Sequence, residues 1–252
     1  MDHPGTHRSG IRVAARVAGT LALACCPGLV GAQVLDGARL SFDVALTSDH
    51  VVQGVTRSEG EPALQGHVGV GGEAGWVVGV WASRADSGAG SNGRYEIDPY
   101  IGKRWLLGQD WSVSADVTRY LYRPASSRSY DYTELRSAVT YGDMLEFAIA
   151  WAPDYSGYSW LGRAHDRTML SYEAAARLPA TRWLTLTAGA GRRDLQDVYG
   201  KSYWYWSAGS QISVHRISLA LTYIGSSRGA LDLYGADDAG DRLVATIVLR
   251  VL

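Results

Sequence analysis

Cysteine, phenylalanine and long apolar runs are scarce in this chain of 252 residues, and each scarcity excludes something. The two cysteines, Cys25 and Cys26, are adjacent and lie in the N-terminal segment. If that segment is removed, no disulfide framework, thiol nucleophile or cysteine-based metal site is left. No uncharged apolar run reaches the ~20 residues that a membrane-spanning helix needs. Phenylalanine occurs only 2 times against 9 Trp and 15 Tyr. A water-excluding core would draw more on Phe, whereas Trp and Tyr suit a membrane–water boundary, with an apolar body and a polar tip. A basic surplus is also missing, so neither composition nor charge points to nucleic acid.

The first 32 residues read as a secretory signal peptide. Arg8, Arg12 and Arg16 form a positive start, and Val17 to Cys26 an uncharged, mostly apolar stretch. Pro27 breaks it, and Val30-Gly31-Ala32 puts small residues before a cleavage point ahead of Gln33. Cleavage would remove Asp2 and the three arginines, so 24 basic and 25 acidic residues become 21 and 24, a net charge of −3. Residues 33–38 then form a short leading segment, and 39–252 a single domain.

That domain alternates with period two. Leu40, Phe42, Val44 and Leu46 oppose Ser41, Asp43, Ala45 and Thr47. Trp111, Val113, Ala115 and Val117 oppose Ser112, Ser114, Asp116 and Thr118. Such alternation reads as strands with one apolar and one polar face. About twelve strands are predicted, at 39–48, 62–71, 75–84, 94–105, 110–122, 131–142, 144–152, 168–177, 182–192, 202–213, 216–225 and 242–252.

The connections alternate too. Residues 49–61, 85–93, 123–130, 153–167, 193–201 and 226–241 are long, while 72–74, 106–109, 143, 178–181 and 214–215 are tight. A transmembrane barrel has an even strand number, short periplasmic turns and longer external loops. The pattern therefore predicts an all-β fold, an antiparallel transmembrane β-barrel of the cell outer membrane. Trp76, Trp105, Trp111 and Trp183 beside the turns, and Trp81, Tyr122, Trp151, Trp204 and Trp206 near the loops, are expected to form two aromatic girdles. Pro99, inside a strand, predicts a bulge or a local break in pairing.

Several segments together resemble a proteobacterial family of conserved hypothetical proteins predicted to be outer-membrane barrels. They are Ser48-Asp49-His50, Gln53-Gly54-Val55 and Ser58, then Pro62-Ala63-Leu64-Gln65-Gly66 and Gly79-Val80-Trp81-Ala82-Ser83. The likeness continues at Tyr95-Glu96-Ile97-Asp98-Pro99-Tyr100-Ile101-Gly102 and Asp131-Tyr132-Thr133-Glu134-Leu135, and covers nearly all of residues 40–252. Where the family usually has Tyr and Arg, this chain has His50 and Gln53. The resemblance implies a fold and a compartment, and no activity.

Inward parity selects candidate lumen-lining residues: Asp43, His67, Glu96, Asp98, Arg104, Asp116, Glu134, Arg136, Glu173 and Arg177, joined by Arg193, Arg242 and Arg250. An arginine on the lipid face near the midplane would cost ~2–4 kcal/mol, so these charges belong inside. Gly102, Gly189, Gly191 and Gly209 share that parity and are expected to leave space. The expected function is a porin-like passage for small polar solutes in contact with outer-membrane lipid. The acids of the external loops, among them Asp49, Glu59, Glu61 and Asp86, lean it weakly towards cations. One rival is a sealed barrel used as a structural or interaction platform. Another is a barrel enzyme acting on outer-membrane lipid, for which His67 near Glu96 or Asp98 is the nearest thing to a base. No elbow motif surrounds a serine, and no Gly-rich motif opens a helix, so neither a catalytic residue nor an organic cofactor is expected. Asp232, Asp237, Asp238 and Asp241 do not match a calcium-loop spacing and read as a solvated acidic loop rather than a metal site. The oligomeric state is left open.

Overall fold

A computed structural model describes residues 33–35, 38–85, 95–123, 130–159 and 161–252. The expected signal peptide lies outside the described residues.

After a short β1 (Gln33–Leu35), β2 (Ala38–Thr47) opens the barrel. A small hairpin, β3 (Val51–Val52) and β4 (Val55–Thr56), follows. Then come β5 (Ala63–Gly72), β6 (Trp76–Arg84), β7 (Tyr95–Leu107), β8 (Trp111–Arg123), β9 (Tyr132–Tyr141) and β10 (Leu145–Ser159). The chain continues with β11 (Gly162–Pro179), β12 (Leu184–Leu195), the single turn α1 (Gln196–Tyr199), β13 (Lys201–Val214) and β14 (Ile217–Ser226). It ends with α2 (Arg228–Tyr234), α3 (Ala236–Ala239) and β15 (Arg242–Arg250). Twelve strands, β2 and β5 to β15, pair antiparallel with their neighbours, and β15 closes on β2. At that seam Asp43 lies opposite Arg250, and the Thr246 hydroxyl meets that of Thr47 at 2.9 Å. Closure pairs each of the twelve barrel strands on both sides, which spares a bilayer the unpaired backbone groups it would penalise.

The alternation in sequence becomes an inside and an outside. Leu64, Val78, Leu219, Leu221, Ile247 and Leu249 are exposed on the outer wall, as a lipid-facing belt requires. Trp76, Trp105, Trp111 and Trp183 stand outward beside the short turns, and Trp151, Trp204 and Trp206 outward towards the long loops. Lys103 lies over the Trp76 ring at 4.8 Å, a cation lodged at the girdle, where its charged end can reach the headgroups. Two residues expected in the girdle belong inside. Trp81 shares the face of its partner His67 and packs on His50 at 5.2 Å. Tyr122 is buried in the interior and donates to Glu96. Strand parity decides this, because a ring near a loop faces lipid only if its position is odd with respect to the lumen.

Other departures lie in the loops. The segment 153–167 is mostly ladder rather than loop, because β10 and β11 run on past a bulge near Ala152 and Tyr155. Within 193–201 and 226–241 short helices replace irregular chain. At Pro99 the pairing of β7 with β8 lapses between Ile97 and Tyr100 and resumes in the same register, a break without an extra residue. The missing proline N–H accounts for it.

Candidate functional site

The first loop does not stay outside. Val51-Val52 and Val55-Thr56 are two β-branched pairs around Gln53-Gly54, whose φ angles of 50° and 79° make the left-handed turn of a tight hairpin. Its tip reaches β11, where Gln53 Nε2 donates to Ser171 Oγ and Glu173 Oε1, each at 3.2 Å. In the barrel order β11 is the fifth strand from β2 one way and the sixth from β5 the other, so the hairpin crosses the lumen. Gly54 rests against β13 and β14, where a Cβ would stand 2.9 Å from Tyr205 Cβ. A side chain there would meet both a steric wall and an unfavourable φ.

Asp49 anchors the hairpin. Its Oδ1 accepts from Thr56 Oγ1 and Ser58 Oγ, and its Oδ2 from Arg242 Nη1 at 2.6 Å. His50 is buried, its backbone N–H donating to Ser58 Oγ. Burial, and then Arg57 nearby, lower its imidazole from an ordinary value near 6.5 to about 4, so it is neutral at pH 7.

Above the hairpin the interior is closed by aromatic and apolar packing. Tyr122, Tyr132, Tyr155, Tyr203 and Tyr205 form one buried cluster with Val55, Met169, Leu195 and, from the last loop, Ala230 and Leu233 of α2 and Ala239 of α3. Tyr132 and Tyr155 meet edge to face at 5.0 Å. Gly191 makes room for the Tyr205 ring opposite it, and Gly79 for the Tyr100 ring. These glycines are sockets. The expectation that Gly102, Gly191 and Gly209 leave free space is corrected: Asp116, Tyr205 and Thr222 occupy the positions a Cβ would take.

The charged residues fall into bands. Asp43, His67 and Tyr100 form one: His67 Nε2 is 2.7 Å from the Tyr100 hydroxyl and Nδ1 3.6 Å from Asp43 Oδ2. No serine hydroxyl bonds to that imidazole among the described residues. Glu96 and Asp98 of β7 and Glu134 of β9 are buried towards the tyrosines, Glu96 accepting from Tyr122 at 3.2 Å and Glu134 from Tyr120 at 3.3 Å. Asp116 stands opposite Arg136, which donates to Glu146 at 2.5 Å and lies 3.8 Å from Glu173. Glu173 also accepts from the Tyr205 hydroxyl at 2.6 Å. Arg104 is nearer the short turns, bonded to Ser112 and paired with Asp143 at 2.9 Å. Arg177 lies on the inner face of β11, towards the short-turn end. Glu146, Arg57 and Asp49 also belong to the interior and were not among the candidates. Glu146 has the right parity in its strand, Leu145-Glu146-Phe147-Ala148, whereas nothing in the parity of a loop places Arg57 or Asp49.

The late aspartates do not gather. Asp232 pairs with Lys201 at 3.0 Å, and Asp241 accepts from the Tyr223 hydroxyl at 2.8 Å. Burial raises the carboxyl of Asp238. Among the described residues no three His, Cys, Asp or Glu side chains converge as metal ligands.

This geometry defines a class, the twelve-stranded outer-membrane β-barrel. Solved structures agree on the fold. The NanC porin has a TM-score of 0.57 at 13% identity, over 84% of this chain and 100% of that one. An outer-membrane channel of the COG4313 type from Pseudomonas putida F1 has 0.51 at 9% identity, over 87% and 97%. No curated protein matches the chain. The chain belongs to a family described as a bacterial protein of unknown function (Gcw_chp), whose model matches residues 32–251.

Proposed function

We propose that this barrel is a porin-like passage for small polar solutes, constricted towards its external end by the inward hairpin. The observation that supports it is the polarity of the inner wall in the short-turn half. There Ser114, Thr140, Thr185, Thr187, Gln211 and Ser213 line the inside and are only half-buried, as side chains facing a wetted space are. A structural barrel has no need of such a lining. The known channels that share the fold support the same reading. The charge bands, Asp43 with His67, Glu96 with Asp98 and Glu134, Asp116 with Arg136 and Glu173, and Arg104 and Arg177 below, would line the route. Lipid of the outer membrane surrounds the belt, and the barrel acts without organic cofactor or covalent catalysis, His67 being held by Tyr100 and Asp43 rather than aimed at a nucleophile.

One observation favours the sealed alternative: the tyrosine cluster and α2 fill the external half. Conductance of the purified, folded protein across a planar bilayer separates the two. Discrete steps are expected. Their absence at every voltage, in protein that still shifts on boiling in a gel, would establish a sealed barrel.

A further inference from the structure

The outer wall is uneven. Over β6 to β10 the belt carries large side chains such as Val78, Ile101, Leu135, Phe147 and Ile149, all exposed. Over β11 to β13 it drops. Ala174 and Ala176 stand beside Ala190 and Ala188 on the next strand, and Ala188 beside Ala208 on the one after. Ala174, Ala188, Ala190 and Ala208 are exposed. Side chains that end at Cβ leave a shallow recess among the longer ones.

Polar and aromatic groups border this recess towards the long loops. Tyr172, Arg192 and Trp204 lie side by side across β11, β12 and β13, two residues nearer the loops than Ala174, Ala190 and Trp206. The Arg192 guanidinium is 5.9 Å from the Trp204 ring, its Nη2 donates to Ser202 Oγ at 2.8 Å, and Asp194 Oδ2 is 3.9 Å away. Its side chain is still 38% exposed. On the other flank the Tyr223 hydroxyl donates to Asp241 Oδ2 at 2.8 Å. A Cβ on Gly225 would stand 2.5 Å from both Trp206 Nε1 and Asp241 Oδ1, so the glycine lets indole and carboxylate converge above it. An outward arginine is costly at the membrane midplane and tolerated near the interface, which puts Arg192 at the level of the headgroups.

We propose that this patch is a docking site for a phosphorylated glycolipid of the outer leaflet. Phosphate matches the forked donors of Arg192. Exposed indole faces beside a carboxylate match a sugar, whose C–H groups lie on the rings and whose hydroxyls donate to Asp241. An acyl chain fills the alanine recess and gains the dispersion contacts that the wall lacks there. The site continues the lipid-facing belt and does not depend on flow through the lumen.

The test is native mass spectrometry of the full folded barrel in maltoside detergent, with lipid A and dioleoylphosphatidylglycerol added together at equal concentration. The second lipid has a phosphate and acyl chains but no sugar ring. Preferential retention of lipid A is expected. Arg192→Gln should reduce it by about tenfold, and Ala190→Leu, which fills the recess without touching a polar group, by about threefold. Arg119→Gln, on β8 four strands from β12, should change nothing. All variants are compared as folded protein that still shifts on boiling, and Ala190→Leu keeps the test valid if Arg192→Gln does not fold. Equal retention of the two lipids overturns the site, as does retention untouched by the β12 substitutions or lowered as much by Arg119→Gln. A dimer that forms without bound lipid and is lost in Ala190→Leu also overturns it, and gives the face to a second copy of the chain.

Discussion

The two halves of the barrel use the same strands for opposite ends. Towards the short turns the inner wall carries small polar residues, with Ser114, Thr140, Thr185, Thr187, Gln211 and Ser213 half-buried and Ser41, Ser112 and Ser218 buried. Towards the long loops the same strands carry Tyr122, Tyr132, Tyr155, Tyr203 and Tyr205, each under 10% exposed. Along β13 the inward series runs Tyr203, Tyr205, Ser207, Gly209, Gln211 and Ser213, six positions that go from buried to half-buried. A lumen of fixed strand number has one width, so what closes it is what fills it. The difference teaches that the barrel wall sets the bore, while the hairpin and the tyrosines set how much of it is filled.

The largest change should come from removing the filling. Replacing residues 51–56 with a short Gly-Ser link should raise single-channel conductance several-fold; unchanged steps would mean that the tyrosines alone close the external half. Next is Asp49→Ala, which leaves Arg242 without its carboxylate and the hairpin without its anchor. Breaking a buried pair costs about 3–5 kcal/mol. Trypsin should then cleave after Arg57 in the folded barrel, where the parent resists.

The outer wall provides a reference for both halves. Leu221→Arg places a charge on the lipid belt, and ~2–4 kcal/mol should be lost in reversible unfolding. Equal stability would mean that the face is not in lipid.

The hairpin should also respond to pH. The unfolded chain takes up a proton on His50 near pH 6.5, the folded loop only near 4. The stability held by neutral His50 is therefore complete above 6.5 and is lost as pH falls to 4, by at most roughly 3 kcal/mol. The difference in unfolding free energy between the parent and His50→Gln, followed from pH 7 to 4, should shrink over that window. A constant difference would place His50 in water. Smallest is the contrast of Tyr205→Phe with Gln211→Ala on one strand. The first removes the bond to Glu173 in the packed half and should cost about 1–2 kcal/mol. The second loosens a bond to Ser213 in the wet half, where water substitutes, and should cost less.

Much of the wall is legible along the chain. Period-two alternation separates Leu219 and Leu221 from Ala220 and Thr222, and alternating connection lengths mark the two ends. Girdle assignment failed only where nearness to a loop stood in for parity, at Trp81 and Tyr122. The inward hairpin had a local signal in Val51-Val52-Gln53-Gly54-Val55-Thr56, two β-branched pairs around a Gly turn. That pattern describes a hairpin and carries no direction, so it could not say that the loop turns into the barrel.

The alternation and spacing of residues therefore determined, without further help, that this chain forms an antiparallel barrel with an apolar outside and a charged inside. Both properties are local, repeating every two residues and every hairpin. Which residues fill the inside was decided only in three dimensions. Gln53 meets Glu173 across 120 residues of chain, Arg242 meets Asp49 across 193, and the Tyr205 ring fits because Gly191 lies on the next strand. Those contacts exist only once the twelfth strand has closed on the first, when opposite walls come within reach of one loop.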